Sequence, residues 1–177
     1  GTVPTARLGS GTASSSTVLY GDQTYKAEPG GDNTPAILGE PVTAASGLTS
    51  GVWTQVSFTE ALDSDSAFDG TTFTVPAGMG GYYQYNIILD VDAYTTYASY
   101  FWKIQMGLYK NGALDISTYT MFDSYAAHLQ ISQRGVAGVI ELAATDSCEV
   151  YVNGNTQASQ WEIKTDGQFS IYRLIGI

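Results

Sequence analysis

The sequence predicts an all-β sandwich of eight to ten strands. Three observations carry the prediction. Apolar residues recur with a period of two, turn residues punctuate the chain at short intervals, and no segment sustains a 3.6-residue period with helix caps. Residues 53–58 open the patterned region, and 67–75 follow an acidic stretch. Over 81–91, Tyr83, Tyr85, Ile87, Leu89 and Val91 alternate with Gln84, Asn86, Ile88 and Asp90. That pattern is a half-buried strand. Over 99–110, Trp102, Ile104, Met106 and Leu108 alternate with Lys103, Gln105, Gly107 and Tyr109. Asn111-Gly112 then marks a type I′ hairpin into 113–122. Strands at 127–133 and 137–144 come next. Cys148, Val150 and Val152 alternate with Glu149 and Tyr151 across 147–153, and 168–176 closes the chain. Asp69-Gly70, 76–81, Asp146, Asn153-Gly154 and Asp166-Gly167 read as further turns.

The chain falls into two halves of different composition. Only Tyr20 and Tyr25 of the aromatic residues precede residue 53, whereas Pro4, Pro29, Pro35 and Pro41 all lie there. So few large apolar groups cannot build a core against chain entropy. Residues 1–52 are therefore expected to be disordered, or ordered by partner chains. Residues 53–177 are expected to form the folded domain.

Composition excludes several classes of function. The 177 residues carry 17 acidic and 7 basic side chains, a formal net charge of −10. That balance opposes nucleic-acid binding, which needs a basic face. No apolar run approaches a membrane span of about 18 residues. A single Cys excludes a disulfide framework and a zinc ribbon, and a single His excludes a His-rich metal site. No nucleophile elbow, phosphate loop or paired-carboxylate cleft is evident, so the chain is not expected to be an enzyme.

The patterned half resembles a known family, the C1q and tumour-necrosis-factor type of globular domain. The matching pieces run in order. They are Val56-Ser57-Phe58, Phe68-Asp69-Gly70, Phe73-Thr74-Val75-Pro76, Gly81-Tyr82-Tyr83-Gln84-Tyr85, Leu108-Tyr109-Lys110-Asn111-Gly112, Leu142 to Cys148, and Phe169-Ser170-Ile171-Tyr172. Thr145 stands where the family has a turn Gly, so that turn is expected to need another conformation, or another residue at positive φ. Cys148 replaces a Val, Ile171 a Gly, and Arg173 interrupts the last apolar run. The resemblance implies a ten-stranded jelly roll that packs as a homotrimer. Leu8 to Tyr25 is similar to a linker of bacteriophage tail fibres, with its Gly-x-Gly stretch and its apolar-Gly-Asp turn at Tyr20-Gly21-Asp22. It implies a short, mostly irregular stem of three wound chains that joins other virion proteins.

A jelly roll gathers its loops at two ends. On the resemblance, loops near 59–66, 92–98, 123–127 and 154–167 share the end distal to the stem. That end would bring together Asp63, Asp65, Asp92 and Asp123, hard oxygen ligands of the kind Ca²⁺ takes. No local Ca²⁺ motif accompanies them, and no cofactor is required. Tyr94, Tyr97 and Trp161 are the expected ligand-binding surface there, because aromatic side chains give large contact area at low entropy cost. His128 has no catalytic partner pattern, and Cys148 reads as a small core residue.

These expectations combine into one function. The chain reads as the non-enzymatic head of a trimeric virion fibre, exposed at the particle's outer surface. Its loops would bind a host cell-surface glycan or protein without membrane insertion. The alternatives are a capsid decoration or baseplate protein, and a secreted C1q-like lectin. The absence of a glycosylation sequon and of disulfides disfavours the last.

Overall fold

A computed structural model describes residues 9–12, 14, 17–19, 21–27, 33–42, 45–93, 100–121, 131–156 and 160–175. The chain divides into two compact units, Gly1–Asp32 and Asn33–Ile177. In the first, β1 (Thr17–Leu19) and β2 (Tyr25–Ala27) form an antiparallel hairpin. Asp22 ties its turn by accepting from the Thr24 N–H and hydroxyl. Ser10 runs parallel to Thr24. Gly9 sits so close to the turn that a Cβ would lie 2.1 Å from the Gln23 carbonyl oxygen.

The second unit is a sandwich of two sheets, and its strands begin earlier than expected. β3 (Ala36–Pro41) pairs with the last strand, and β4 (Ala45–Thr49) pairs with a strand near residue 161. The boundary expected at residue 52 is thereby corrected to Asp32/Asn33. Ile37 is the reason: it is 2% exposed, so β3 supplies core rather than stem.

The remaining strands are β5 (Thr54–Gln55), β6 (Phe58–Asp63), β7 (Thr72–Thr74), β8 (Gly81–Asp92), β9 (Phe101–Lys110), β10 (Ala113–Met121), β11 (Ile131–Leu142), β12 (Ser147–Thr156), β13 (Gln160–Ile163) and β14 (Gln168–Arg173). One sheet has five strands in the order β10-β9-β12-β5, with β7 also on β12. The other has seven. β8 carries β11 along one side and β14 and β13 along the other, with β3, β4 and β6 beyond them. No described residue is helical.

Alternation decides which side chains fill the space between the sheets. Tyr83, Tyr85, Ile87, Leu89 and Val91 of β8 point inward and are buried, as do Met106 and Leu108 of β9 and Val150 and Val152 of β12. Phe58, Phe68 and Phe169 pack with centroids 5.6 to 6.3 Å apart. Aromatic clusters of this kind add to the area term of burial.

Several local expectations meet the structure. Asn111 and Gly112 take φ of 52° and 76°, the two positive values a type I′ turn requires. The turn at Thr145 differs from expectation: neither another residue nor another conformation replaces the Gly, and Thr145 itself takes the positive φ, 73°, despite its branched side chain. Asn153-Gly154 is not a turn but lies inside β12. Gly is there because a Cβ would lie 2.8 Å from Phe101 and 3.0 Å from Trp161. The strands expected at 127–133 and 137–144 are one strand over the described part, since Gly135 and Gly138 continue the ladder on β8.

Candidate functional site

The expected Ca²⁺ ligands do not converge. Asp63 ends β6 opposite Ile37 of β3, which faces Ile171 of β14, which faces Tyr85 of β8. Asp92 lies further along β8, seven residues beyond Tyr85. The two carboxylates are thus separated by about 23 Å along the strand and three strand spacings of about 4.8 Å across it. The physical reason is β6. Residues 59–63 were expected to be a loop but form a strand that carries the chain back toward the Gly81 end. Asp63 is also committed locally. Oδ1 accepts from the Asp65 and Ala67 N–H groups and Oδ2 from Phe68. Asp65 accepts from the Ser64 hydroxyl. Asp92 pairs with Lys164 at 3.2 Å, and Lys164 also bonds Glu162. Asp123 lies outside the described residues. Among the described residues no group of three or more acidic, His or Cys side chains is arranged to hold a metal ion.

Trp161 is likewise not a surface residue. It is 0% exposed, packs edge-on to Phe101, and donates its indole N–H to the Thr49 carbonyl at 3.3 Å. The supposed loop around it contains β13, whose four residues are too few for the Trp161-x-Ile163 alternation to separate a strand from a loop. Tyr94, Tyr97 and His128 lie outside the described residues. Cys148 is fully buried, and burial pushes its thiol up to about 12, so it stays protonated and inert.

Two outward sheet faces remain. The first belongs to the seven-stranded sheet. Across its middle lie Asn86, Ala137 and Ser170 in one row, with Gly135 beside Ile88 and Val139 beside Gln84. The row is flat because its side chains are small. Around it stand exposed apolar residues: Tyr82 at 45%, Val139 at 51% and Leu62 at 52%. At the Asp92 end the face turns acidic. Burial raises the Asp90 carboxyl above its usual range, reinforced by Asp166 and Asp92.

The second face belongs to the five-stranded sheet and is aromatic. Tyr109 of β9 and Tyr151 of β12 stack with centroids 4.1 Å apart, and Trp53 meets Tyr109 edge-on at 6.1 Å. Gly107 leaves room for them. A Cβ there would lie 2.6 Å from Leu114 and 3.5 Å from the Trp53 ring. Tyr109 and Tyr151 fall on the polar phase of the β9 and β12 alternation, which is why periodicity alone passes them over.

A polar cleft at the sandwich end joins Gly80, Gly81, Lys110, Glu141 and Asp146. Its groups satisfy one another. Lys110 pairs with Asp146 at 3.0 Å and donates to the Glu141 carbonyl. Hydrogen bonds from Asn111, the Ala143 N–H and Lys110 hold the Asp146 carboxyl down to about 2.

No protein-family model matches the chain, and no curated protein is similar to it in sequence. Solved structures are similar in fold. The globular domain of zebrafish complement 1qA protein superposes with a TM-score of 0.57 at 10% identity, covering 81% of this chain and 100% of that one. Murine APRIL at pH 5.0 superposes with a TM-score of 0.56 at 13% identity, covering 78% of this chain and 98% of that one. Two antiparallel sheets, no helix among the described residues and these likenesses together show that the chain has a C1q/TNF-like jelly-roll fold.

Proposed function

We propose that the chain is the trimeric, non-enzymatic binding head of a virion fibre that attaches the particle to a host cell surface. The observation that carries the reading is the outward face of the seven-stranded sheet. Gly135, Ala137 and Ser170 make it flat, and the exposed Tyr82, Leu62 and Val139 give it apolar area to bury. Exposed apolar side chains on a flat sheet face support reading it as an association surface. Three copies closing on it around one axis form a symmetric assembly without free ends.

Trimerisation gives the function its physics. Each head would hold its ligand weakly, and three linked heads raise avidity by orders of magnitude without new contacts. The fibre placement rests on the stem-like sequence pattern of residues 8–25. The stem would join other virion proteins.

Labelled protein incubated with a panel of bacterial strains tests the reading. Adsorption to at least one strain is the expected result. Val139→Asp places a charge in the interface and lowers that adsorption by about a hundredfold through lost avidity. A fully folded, trimeric protein that adsorbs to no strain would contradict the adhesion role.

A further inference from the structure

We infer that Asn111-Gly112 is a site of spontaneous deamidation, and that a clamp from Asp146 and Ser147 keeps it locked in the folded chain. The inference is independent of the proposed function and adds a self-modification site to the molecule.

The chemistry needs only the chain and water. The Gly112 backbone nitrogen attacks Cγ of Asn111 and gives up its proton. The Cγ–Nδ2 bond breaks, and Nδ2 leaves as ammonia. Water then opens the five-membered imide at either carbonyl, leaving aspartate or isoaspartate. Nothing is oxidised or reduced. Gly is the residue that hinders the attack least, because no side chain stands beside its nitrogen. The sequence has two such pairs, Asn111-Gly112 and Asn153-Gly154.

The fold treats the two pairs differently. Asn153 is 4% exposed, and it and Gly154 are paired within β12, opposite Gln105 and Ile104 of β9. Reaction there requires unfolding. Asn111 and Gly112 are exposed and form the two-residue turn between β9 and β10. A Cβ on Gly112 would meet nothing within 4 Å, so water and hydroxide reach this turn.

Access therefore does not protect Asn111, and conformation does. The imide ring is nearly planar, so the Gly112 nitrogen must come close to eclipsing Cβ of Asn111. In a type I′ turn the first central residue has ψ of about +30°, and tetrahedral geometry then sets its Cβ about 150° from the following nitrogen. The nitrogen is turned away from Cγ. Flipping the single peptide between Asn111 and Gly112 corrects this without unzipping the hairpin. Gly112 takes a negative φ as readily as its present 76°.

Asn111 itself resists the rearrangement, because three bonds tie it to the turn between β11 and β12. Its N–H donates to the Ser147 carbonyl at 3.0 Å, and its Oδ1 accepts from the Ser147 N–H at 2.9 Å. Its Nδ2 donates to Asp146 Oδ1 at 2.8 Å. Cyclisation turns Cγ toward Gly112 and breaks both side-chain bonds. The one to Asp146 is charge-assisted and the stronger. Lys110 steadies that carboxylate from the other side at 3.0 Å. Reaction is also one-way for the clamp. It replaces the Nδ2 donor with a carboxylate oxygen facing Asp146, so a hydrogen bond becomes a like-charge repulsion.

The full chain is incubated at mildly alkaline pH, folded and in concentrated urea, and each Asn is followed by peptide mapping with mass spectrometry. In urea both Asn-Gly pairs react at similar rates. In the folded wild type both are slowed. Folded Asp146→Ala speeds Asn111 by about tenfold, the scale of one hydrogen bond to a charged group, and leaves Asn153 protected. The protected Asn153 reports that the variant is folded. Should Asn153 react too, Asp146→Asn, which keeps an acceptor and loses the charge, decides in the same way. No reaction at Asn111 in urea overturns the site. Equal Asn111 rates in folded and urea-unfolded wild type overturn the lock. So does an Asn111 rate that the folded variant leaves unchanged.

Discussion

Thr145 and Asp146 show how much one turn depends on single residues. A β-branched residue at φ 73° is strained by about 1–2 kcal/mol. Thr145→Gly relieves that strain and loses part of the gain to unfolded-chain entropy. It is expected to raise the melting temperature by about 2–4 °C in a calorimetric scan. Asp146 works in the opposite direction. Asn111, Ala143 and Lys110 hold its carboxyl at about 2, below the unfolded value of about 3.9. Its stabilisation is therefore complete above pH 4 and is lost as pH falls through 2. The melting temperatures of the wild type and Asp146→Asn should differ at pH 6, draw together as pH falls from 4 toward 2, and converge below pH 2. That Thr145 itself would take the positive φ was not legible in the sequence, because a β-branched residue in place of the turn Gly argues for another residue or another conformation there. Nor was the burial of Trp161 legible. A Trp between Gln160 and Glu162 looks the same in a loop and in a short strand until Gly154 is seen to make room for it.

At the scale of elements, long strands announce themselves and short ones do not. β8, with five inward apolar residues in strict alternation, carries its own evidence. β3 and β4 lie in a Gly- and Pro-containing stretch without aromatics, and only their ladders make them strands, β3 on β14 and β6 and β4 on β13. β6 lacks alternation because Thr59, Glu60, Ala61 and Leu62 are all exposed, so its residues read as an acidic loop. That one element moved Asp63 away from Asp92 and dissolved the metal site. A chain beginning at Asn33 keeps every ladder of the sandwich and should melt cooperatively. A chain beginning at Trp53 loses Ile37 and the partners of β13 and β14. It should show no cooperative transition by circular dichroism. Gly154→Ala tests the interior of β12. With Phe101 and Trp161 already at contact distance, the added methyl should cost about 1–3 kcal/mol in denaturant unfolding.

At the scale of the whole molecule, the fold class and the sandwich were legible because period-two patterning reports burial directly. What the outward faces do was not, because a residue that faces water and one that faces a partner occupy the same phase of a strand. Tyr109 and Tyr151 sit on that phase, as do Ala137 and Val139. On the proposed function, the face of the seven-stranded sheet closes three heads together and the other face is left outward. Everything functional in it depends on the first of these faces. Mass in solution, measured by sedimentation at micromolar concentration, tests it most directly. The account predicts about 57 kDa, three times the 18.9 kDa chain, and a fall to a single chain for Val139→Asp. A wild-type protein that sediments as a folded 18.9 kDa monomer would contradict it.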